Sequence, residues 1–478
     1  MTFRKRVLHG TSVLVVGQVA SQALAFARNI VVAHLISPDD VGIAATLAIV
    51  LSFVELLSDV SIDKLLIQAK DGDDPRLQAA CHSALAVRGV VQSVLLFIMA
   101  WPIARLFNLP DLVWAFQCVA IGPLVRGFAN LDVTRIQREL RFVPSAVSEV
   151  VPQASAFAAI VPLALWMGDW RAVLFATLLQ ATLYVLCTHA LAARRYRLAW
   201  DLAQFRRIAL FGWPLMINGG LLFAINQGDR IAIGAVYSKE DLALWANAML
   251  LASAPLLVLG RVAVSMALPI LAKCRDERAT FNSRYELCMQ GLAWVAAIVA
   301  VPLILGGGAI MGLIFGPHYA AAGAFVGILA TAQAIRVCRI GPTVAALAHG
   351  ETTNAALGNA ARLAGVAVAM WLAFNASPLL HVAVAALIGE VLSFIVGAAR
   401  LSQKGLLGMW QSLAPMVPAG LAVAASLGAV RAGVVPSDSS TVIALVGALV
   451  AGVGLLIPLH RIRGESLLLI RSQRRQPA

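Results

Sequence analysis

Apolar residues fill long stretches of this chain, and polar residues gather in short clusters between them. A helix needs about 20 residues to cross the hydrocarbon of a bilayer. Stretches of that order run over 8–34, 42–66, 79–103, 111–134, 146–167, 170–192, 208–235, 241–270, 287–314, 320–347, 354–374, 379–399, 412–432 and 440–460. They predict an all-α polytopic membrane protein of about fourteen transmembrane helices, because lipid satisfies no exposed backbone group and a helix satisfies its own. A membrane β-barrel would alternate apolar and polar residues in segments of about ten. Runs such as Ala293 to Ile304 do not alternate. The connections are short, and none is long and polar enough for a separate soluble domain.

Composition agrees. Of 478 residues, 60% are hydrophobic and 13% charged, and the mean hydropathy is +0.84. Soluble domains hold about 45–50% apolar and about 25% charged residues. The net charge of +13 would suggest nucleic acid in a soluble chain. Here the basic residues lie in the connections, as topology signals do, so nucleic acid is not an expected partner. Arg4-Lys5-Arg6 precede an apolar run that continues to Leu35 without a convincing cleavage site, so the first helix is expected to be retained. Cys81, Cys118, Cys187, Cys274, Cys288 and Cys338 have no metal-ligand spacing and read as packing residues rather than a disulfide framework.

The placement of Lys and Arg predicts orientation. With the N-terminus cytoplasmic, the inner connections carry 25 basic residues, among them Arg4, Lys64, Arg135, Arg194, Lys273, Arg400 and Arg461. The outer ones carry Arg105, Arg171, Lys239 and Arg431. The expected location is the bacterial inner (plasma) membrane, with both termini cytoplasmic.

The chain also repeats itself. Leu35-Ile36-Ser37-Pro38-Asp39-Asp40-Val41 recurs as Val236-Tyr237-Ser238-Lys239-Glu240-Asp241-Leu242, and Leu65 to Lys70 aligns with Leu268 to Lys273. Six spans separate the copies, so both face the same way. This predicts two pseudo-symmetric six-helix lobes, 1–200 and 201–405, followed by two further helices and a basic cytoplasmic tail over 406–478.

Several charges fall inside the predicted spans or near their ends: Arg28, Glu55, Asp59, Asp63, Arg88, Arg126, Asp132, Asp229, Arg230, Arg261, Arg336, Arg339, Arg362 and Glu390. Each costs roughly 2.5–3.5 kcal/mol at the centre of a membrane helix, so each should face water or a partner. Arg28 and Asp229 lie at matching depth in the two repeats, and Arg336 and Arg339 share a helix face. Two readings fit. In the first, Arg28, Glu55, Arg88, Arg126, Asp229, Arg230, Arg261, Arg336, Arg339, Arg362 and Glu390 line a cavity whose arginine excess receives an anion, the planar guanidinium gripping phosphate through parallel hydrogen bonds. In the second, the arginines snorkel or form structural pairs with Asp59, Asp132 or Glu390. Trp213-Pro214 and Asn218-Gly219-Gly220 offer bending points in the seventh span. Trp101, Trp166, Trp170 and Trp245 near the outer ends read as interface anchors. The sequence contains no catalytic triad pattern, zinc-like cluster or phosphate loop, and no cofactor or metal is expected.

The order of these features resembles the polysaccharide and oligosaccharide flippases of the multidrug/oligosaccharidyl-lipid/polysaccharide exporter superfamily, in the branch of capsule, lipopolysaccharide and exopolysaccharide exporters. The residues that carry the resemblance are a basic start before Gly10, Ala27-Arg28-Asn29-Ile30-Val31-Val32-Ala33-His34-Leu35-Ile36-Ser37-Pro38-Asp39-Asp40-Val41-Gly42, Gly228-Asp229-Arg230-Ile231-Ala232-Ile233-Gly234, and Ile314-Phe315-Gly316-Pro317-His318-Tyr319-Ala320-Ala321-Ala322. The resemblance implies a transporter rather than an enzyme. Its two lobes would rock to carry an oligosaccharide repeat unit on undecaprenyl diphosphate, alongside a polysaccharide polymerase and a chain-length regulator. Gln227-Gly228-Asp229-Arg230 departs from the family's asparagine-aspartate type at that point. Two other readings compete. A multidrug or small-molecule exporter of the same fold would favour acids over arginines in its cavity. A membrane sugar-polymer ligase or polymerase would usually need larger outer loops.

Overall fold

A computed structural model describes residues 3–57, 61–433, 443–456 and 460. The chain is all-α. Its helices in order are α1 (Phe3–Leu35), α2 (Pro38–Leu57), α3 (Ile62–Gln68), α4 (Pro75–Leu106), α5 (Val113–Val119), α6 (Ile121–Arg126), α7 (Asp132–Arg135), α8 (Val143–Met167), α9 (Arg171–Ala190), α10 (Leu202–Val236), α11 (Lys239–Lys273), α12 (Arg278–Phe315), α13 (Gly323–Cys338), α14 (Ile340–Ala348), α15 (Thr353–Phe374), α16 (Leu379–Gln403), α17 (Met409–Leu413) and α18 (Val417–Arg431). A further short helix covers Ile443–Leu456. Among the described residues, ten helical segments are long and apolar enough to cross a membrane. The remaining predicted spans coincide with α2, the broken pair α5 and α6, α11 and Ile443–Leu456, which fall outside those ten.

Local chemistry sets the helix ends. Asp74 and Asp201 cap α4 and α10 by accepting backbone N–H bonds. Gly168, at φ +72°, ends α8 in the left-handed conformation that costs glycine nothing. The two copies of the repeat turn have the same bonding. The Ser37 hydroxyl donates to Asp40 Oδ2 at 2.6 Å and accepts the Asp40 N–H at 3.1 Å. The Ser238 hydroxyl donates to Asp241 at 2.7 Å and accepts its N–H at 3.0 Å.

The chain divides into two compact units, Met1–Ala243 and Leu244–Ala478. In the first, α8 packs between α1 and α9, and α10 packs on α2. The α2–α10 crossing is tight because Gly219 meets the Leu56 carbonyl directly, and Phe53 meets Phe223 edge to face at 5.0 Å. At one end of this unit Asn108 donates to the Ala235 carbonyl at 2.8 Å, and Gly42 lies against the Lys239 backbone. The opposite, basic end is organised around Asp132, described below.

In the second unit α12 bends at Gly306 and packs on α13, where Gly327 meets Ile304. Helices α15 and α16 cross backbone to backbone at Gly365 and Gly389. Trp245 is fully buried and stacks on Phe325 at 5.5 Å, and Trp170 in the first unit is buried against Trp114. Both therefore pack inside the protein rather than anchoring at an interface, whereas Trp101 and Trp166 are exposed. The difference is one of azimuth, since proximity to a helix end does not say which face a side chain occupies. All six cysteines are free.

Candidate substrate cavity

The first unit contains a cavity of about 440 Å³ lined by Ser52, Glu55, Leu56, Leu85, Arg88, Gln92, Pro123, Arg126 and Gly127. Two Arg-Gly pairs build it. Arg88-Gly89 lies on α4, and Arg126-Gly127 ends α6. A Cβ on Gly89 would stand 2.7 Å from the Pro123 carbonyl oxygen and 2.8 Å from Gly127 Cα. Only glycine lets the two backbones approach this closely, and the approach brings the adjoining arginines to one cavity.

Helix α2 supplies the counter-charge. Arg126 Nη1 donates to Glu55 Oε1 at 3.2 Å, with 43% of the arginine and 34% of the glutamate side chain exposed. The Arg126 guanidinium also lies 5.6 Å from the Tyr184 ring centroid. Gln92 stands one turn beyond Arg88 on α4 and donates to the Val54 carbonyl at 3.1 Å, tying α4 to α2. Among the described residues, the lining carries two guanidinium groups and one carboxylate. Charges in such a partly enclosed site interact several times more strongly than in bulk water.

The remaining candidates fall elsewhere. Arg28 on α1 donates to Gln180 Oε1 at 3.1 Å, and Gln180 Nε2 donates to Gln153 Oε1 at 2.6 Å, a polar chain across α1, α9 and α8. Asp229 is buried on α10 and accepts the Arg230 backbone N–H at 2.9 Å. Arg230 Nη1 lies 3.4 Å from Gln227 Oε1. Arg261 belongs to α11, with its side chain outside the described residues, as is Asp59.

A second charged cluster lies within the second unit. Arg362 Nε donates to Glu390 Oε1 at 2.5 Å, with the two side chains only 10% and 4% exposed. Arg339 Nη1 donates to Asn359 Oδ1 at 3.1 Å. Arg336 lies within electrostatic reach of Arg362, Glu390 and Arg339. Beside them Ser393 donates to the Gly358 carbonyl and Asn354 to the Gly397 carbonyl, fastening α15 to α16.

Asp132 is fully buried at the basic end of the first unit. It accepts Arg135 Nε at 2.6 Å, Gln78 at 3.3 Å, and the backbone N–H groups of Ala193 and Arg194 at 2.7 and 2.9 Å. Arg135 also reaches Asp73 and Glu139. This is a saturated structural network. Among the described residues, no group of three His, Cys, Asp or Glu could hold a metal ion.

Gln92, Gln153, Gln180 and Tyr184 were not singled out by the sequence reading. The three glutamines are polar interruptions of apolar helices, so a signal existed. Gln92 is also one helical turn from Arg88, on the same face.

The arrangement of helices is shared with solved membrane proteins. It superposes on the lipid II flippase MurJ in an inward closed conformation with a TM-score of 0.69 and 10% identity, covering 95% of this chain and 99% of that one. An inward-facing multidrug resistance MATE family transporter of the MOP superfamily superposes with a TM-score of 0.61 and 14% identity, over 85% and 95% of the two chains. The chain belongs to the polysaccharide biosynthesis protein family, whose model matches residues 31–323. It is 23% identical over 354 residues to the teichuronic acid biosynthesis protein TuaB of Bacillus subtilis (strain 168), covering 72% of each. It is 21% identical over 339 residues to the succinoglycan biosynthesis transport protein ExoT of Rhizobium meliloti (strain 1021), covering 69% of this chain and 67% of that one. The chain is thus a multi-pass membrane protein of the polysaccharide biosynthesis protein family, with a fold shared by solved flippases and transporters.

Proposed function

We propose that this protein translocates an oligosaccharide repeat unit, linked to undecaprenyl diphosphate, across the bacterial inner membrane for surface polysaccharide synthesis. The observation that carries the reading is the pair Arg88 and Arg126 on one cavity, with the accessible Glu55 carboxylate as the counter-ion of Arg126. A diphosphate is the part of such a substrate that hydrocarbon excludes most strongly. Two guanidinium forks can replace its water. Glu55 occupies Arg126 when the cavity is empty and is displaced by phosphate when it is filled. The grip is then an exchange of anions, which lets the substrate leave again. A multidrug exporter of the same fold is the second reading, supported by the MATE likeness, but two arginines on one cavity suit an anion better than the organic cations such a pump would carry.

The proposed architecture is fourteen spans with both termini cytoplasmic, as two six-helix repeats over 1–200 and 201–405 and a tail of two helices over 406–478. The matching Ser37–Asp40 and Ser238–Asp241 turns support the repeat. Glu390 and Arg362 are assigned to holding α15 against α16, not to binding.

The test is export of surface polysaccharide in cells that depend on this chain. Arg88→Ala and Arg126→Ala should each reduce export at least tenfold with the folded protein at its normal level. Loss of export that always tracks loss of folded protein would make both residues structural and the reading wrong.

A further inference from the structure

The connection between α9 and α10, residues 191–201, is not helical, yet it is held at every turn. Asp132 accepts the N–H groups of Ala193 and Arg194, and Asn130 donates to the Arg194 carbonyl. His82 Nδ1 donates to the Arg197 carbonyl at 3.0 Å while its Nε2 accepts the Leu131 N–H at 3.0 Å. The Ser83 hydroxyl accepts the Ala199 N–H at 2.9 Å. Tyr196 points inward, with its ring 4.5 Å from His82 and 5.2 Å from His189. The Arg194 side chain also turns inward, donating to the Asp73 carbonyl at 2.9 Å and to Gln78 Oε1 at 3.2 Å, while several other side chains of the strap stay outside. Leu198, Trp200 and Leu202 are 51%, 76% and 87% exposed. Arg195, Arg197 and Arg206 are exposed beside them. Trp200 stacks on Phe205 at 5.6 Å with the rings 3° from parallel, which holds the indole in place. The one acid of the strap itself, Asp201, is turned to cap α10, and the nearby Asp71 and Asp73 are engaged by Arg207 and Arg135.

The depth of the strap follows from α4. That helix has 32 residues, about 12 more than a bilayer core requires. Its exposed large apolar side chains begin at Val87 and continue to Leu106, a stretch of about 30 Å at 1.5 Å per residue. Those residues face hydrocarbon. His82 and Ser83, where the strap is bonded, therefore stand about one turn outside it, at the level of the headgroups. Exposed tryptophan and leucine are costly in water there and favourable at the lipid boundary, where aromatic residues gather. Arginine beside them meets phosphate.

We propose that residues 195–206 form a binding surface for anionic phospholipid headgroups at the basic end of the protein, with Trp200 and Leu202 entering the boundary and Arg195, Arg197 and Arg206 contacting phosphate. The surface is independent of the transported substrate.

The test uses full-length protein in nanodiscs of phosphatidylcholine carrying an equal minor fraction of either brominated phosphatidylglycerol or brominated phosphatidylcholine. Bromine quenches nearby indole emission. The difference between the protein and its Trp200→Phe variant isolates Trp200 from the other tryptophans. Trp200 should be quenched several-fold more by the anionic lipid. That preference should weaken on Arg195→Gln or Arg197→Gln and be lost when both are replaced, since each basic residue near a charged leaflet adds to the attraction. Equal quenching by the two lipids would overturn the proposal, as would quenching by neither, which would put the strap against water or another protein. A preference that survives removal of both arginines would also overturn it. The comparison of lipids needs only the unmutated chain and Trp200→Phe, an exposed aromatic-for-aromatic change, so it stands even if an arginine variant folds poorly.

Discussion

The Glu55 carboxylate lies 3.2 Å from the Arg126 guanidinium, and a third or more of each side chain stays open. Arg362 and Glu390 make a shorter pair with almost no exposure. Both pairs join an arginine to a glutamate on another helix, yet their environments give them different uses. The open pair can exchange its partner for an incoming anion, and the closed pair cannot.

Exchange predicts the sign of a substitution. Glu55→Gln removes the competing anion and should strengthen binding of a short-chain polyprenyl diphosphate about two- to fivefold, the range of an exposed ion pair. It should also slow turnover, because release loses its competitor. Titration of the purified protein measures the first effect and export the second. Unchanged affinity would exclude Glu55 as the competing anion.

The closed pair should behave as structure. Arg362→Met or Glu390→Gln alone breaks an enclosed ion pair and should destabilise the protein by about 3–5 kcal/mol. Replacing both with methionine should recover most of that loss. Unfolding in detergent, compared across the single and double variants, measures the coupling. If the double variant is as unstable as the sum of the singles, the pair does not act as a unit.

Gly89→Ala would push α4 away from α6, since the new methyl would stand 2.7 Å from the Pro123 carbonyl oxygen. Such overpacking costs about 1–3 kcal/mol. It should also weaken diphosphate binding, because Arg88 and Arg126 would no longer be held at one cavity. Gly420→Ala on α18, which has nothing within 4 Å of the added atom, is the control and should leave both quantities unchanged.

Asp71 outside the spans accepts two bonds from Arg207, at 2.7 and 2.8 Å. The guanidinium holds its carboxyl at about 2, below an ordinary 3.8. A depressed carboxyl stabilises the fold above its unfolded pKa and loses that contribution as pH falls through the folded value. The difference in melting temperature between the protein and Asp71→Asn should be constant above pH 5 and vanish between about pH 4 and pH 2. It should be small, because both side chains are well exposed to water. A difference that persists at pH 2 would point to a cause other than the ion pair.

The sequence by itself determined the helical membrane class, the places where charge is costly and the duplicated turn. Those are local properties. Hydrocarbon selects unbroken apolar runs about 20 residues long, and a Ser-x-x-Asp turn closes within four residues, so Ser37 and Ser238 match in the sequence itself. What it left open was azimuth and crossing. A depth along a helix places Arg88, Arg126, Arg336 and Arg362 at similar levels without saying which of them share a space. Only the tertiary structure decided that Gly89 meets Gly127, so that Arg88 and Arg126 join one cavity, while Gly365 meets Gly389 beside the enclosed pair of Arg362 and Glu390. The same reasoning applies to Trp245, buried where its position along the chain suggested an interface. Contacts between helices far apart in sequence depend on where two backbones can approach. A single missing Cβ decides that, and nothing in the hydropathy of either helix records it.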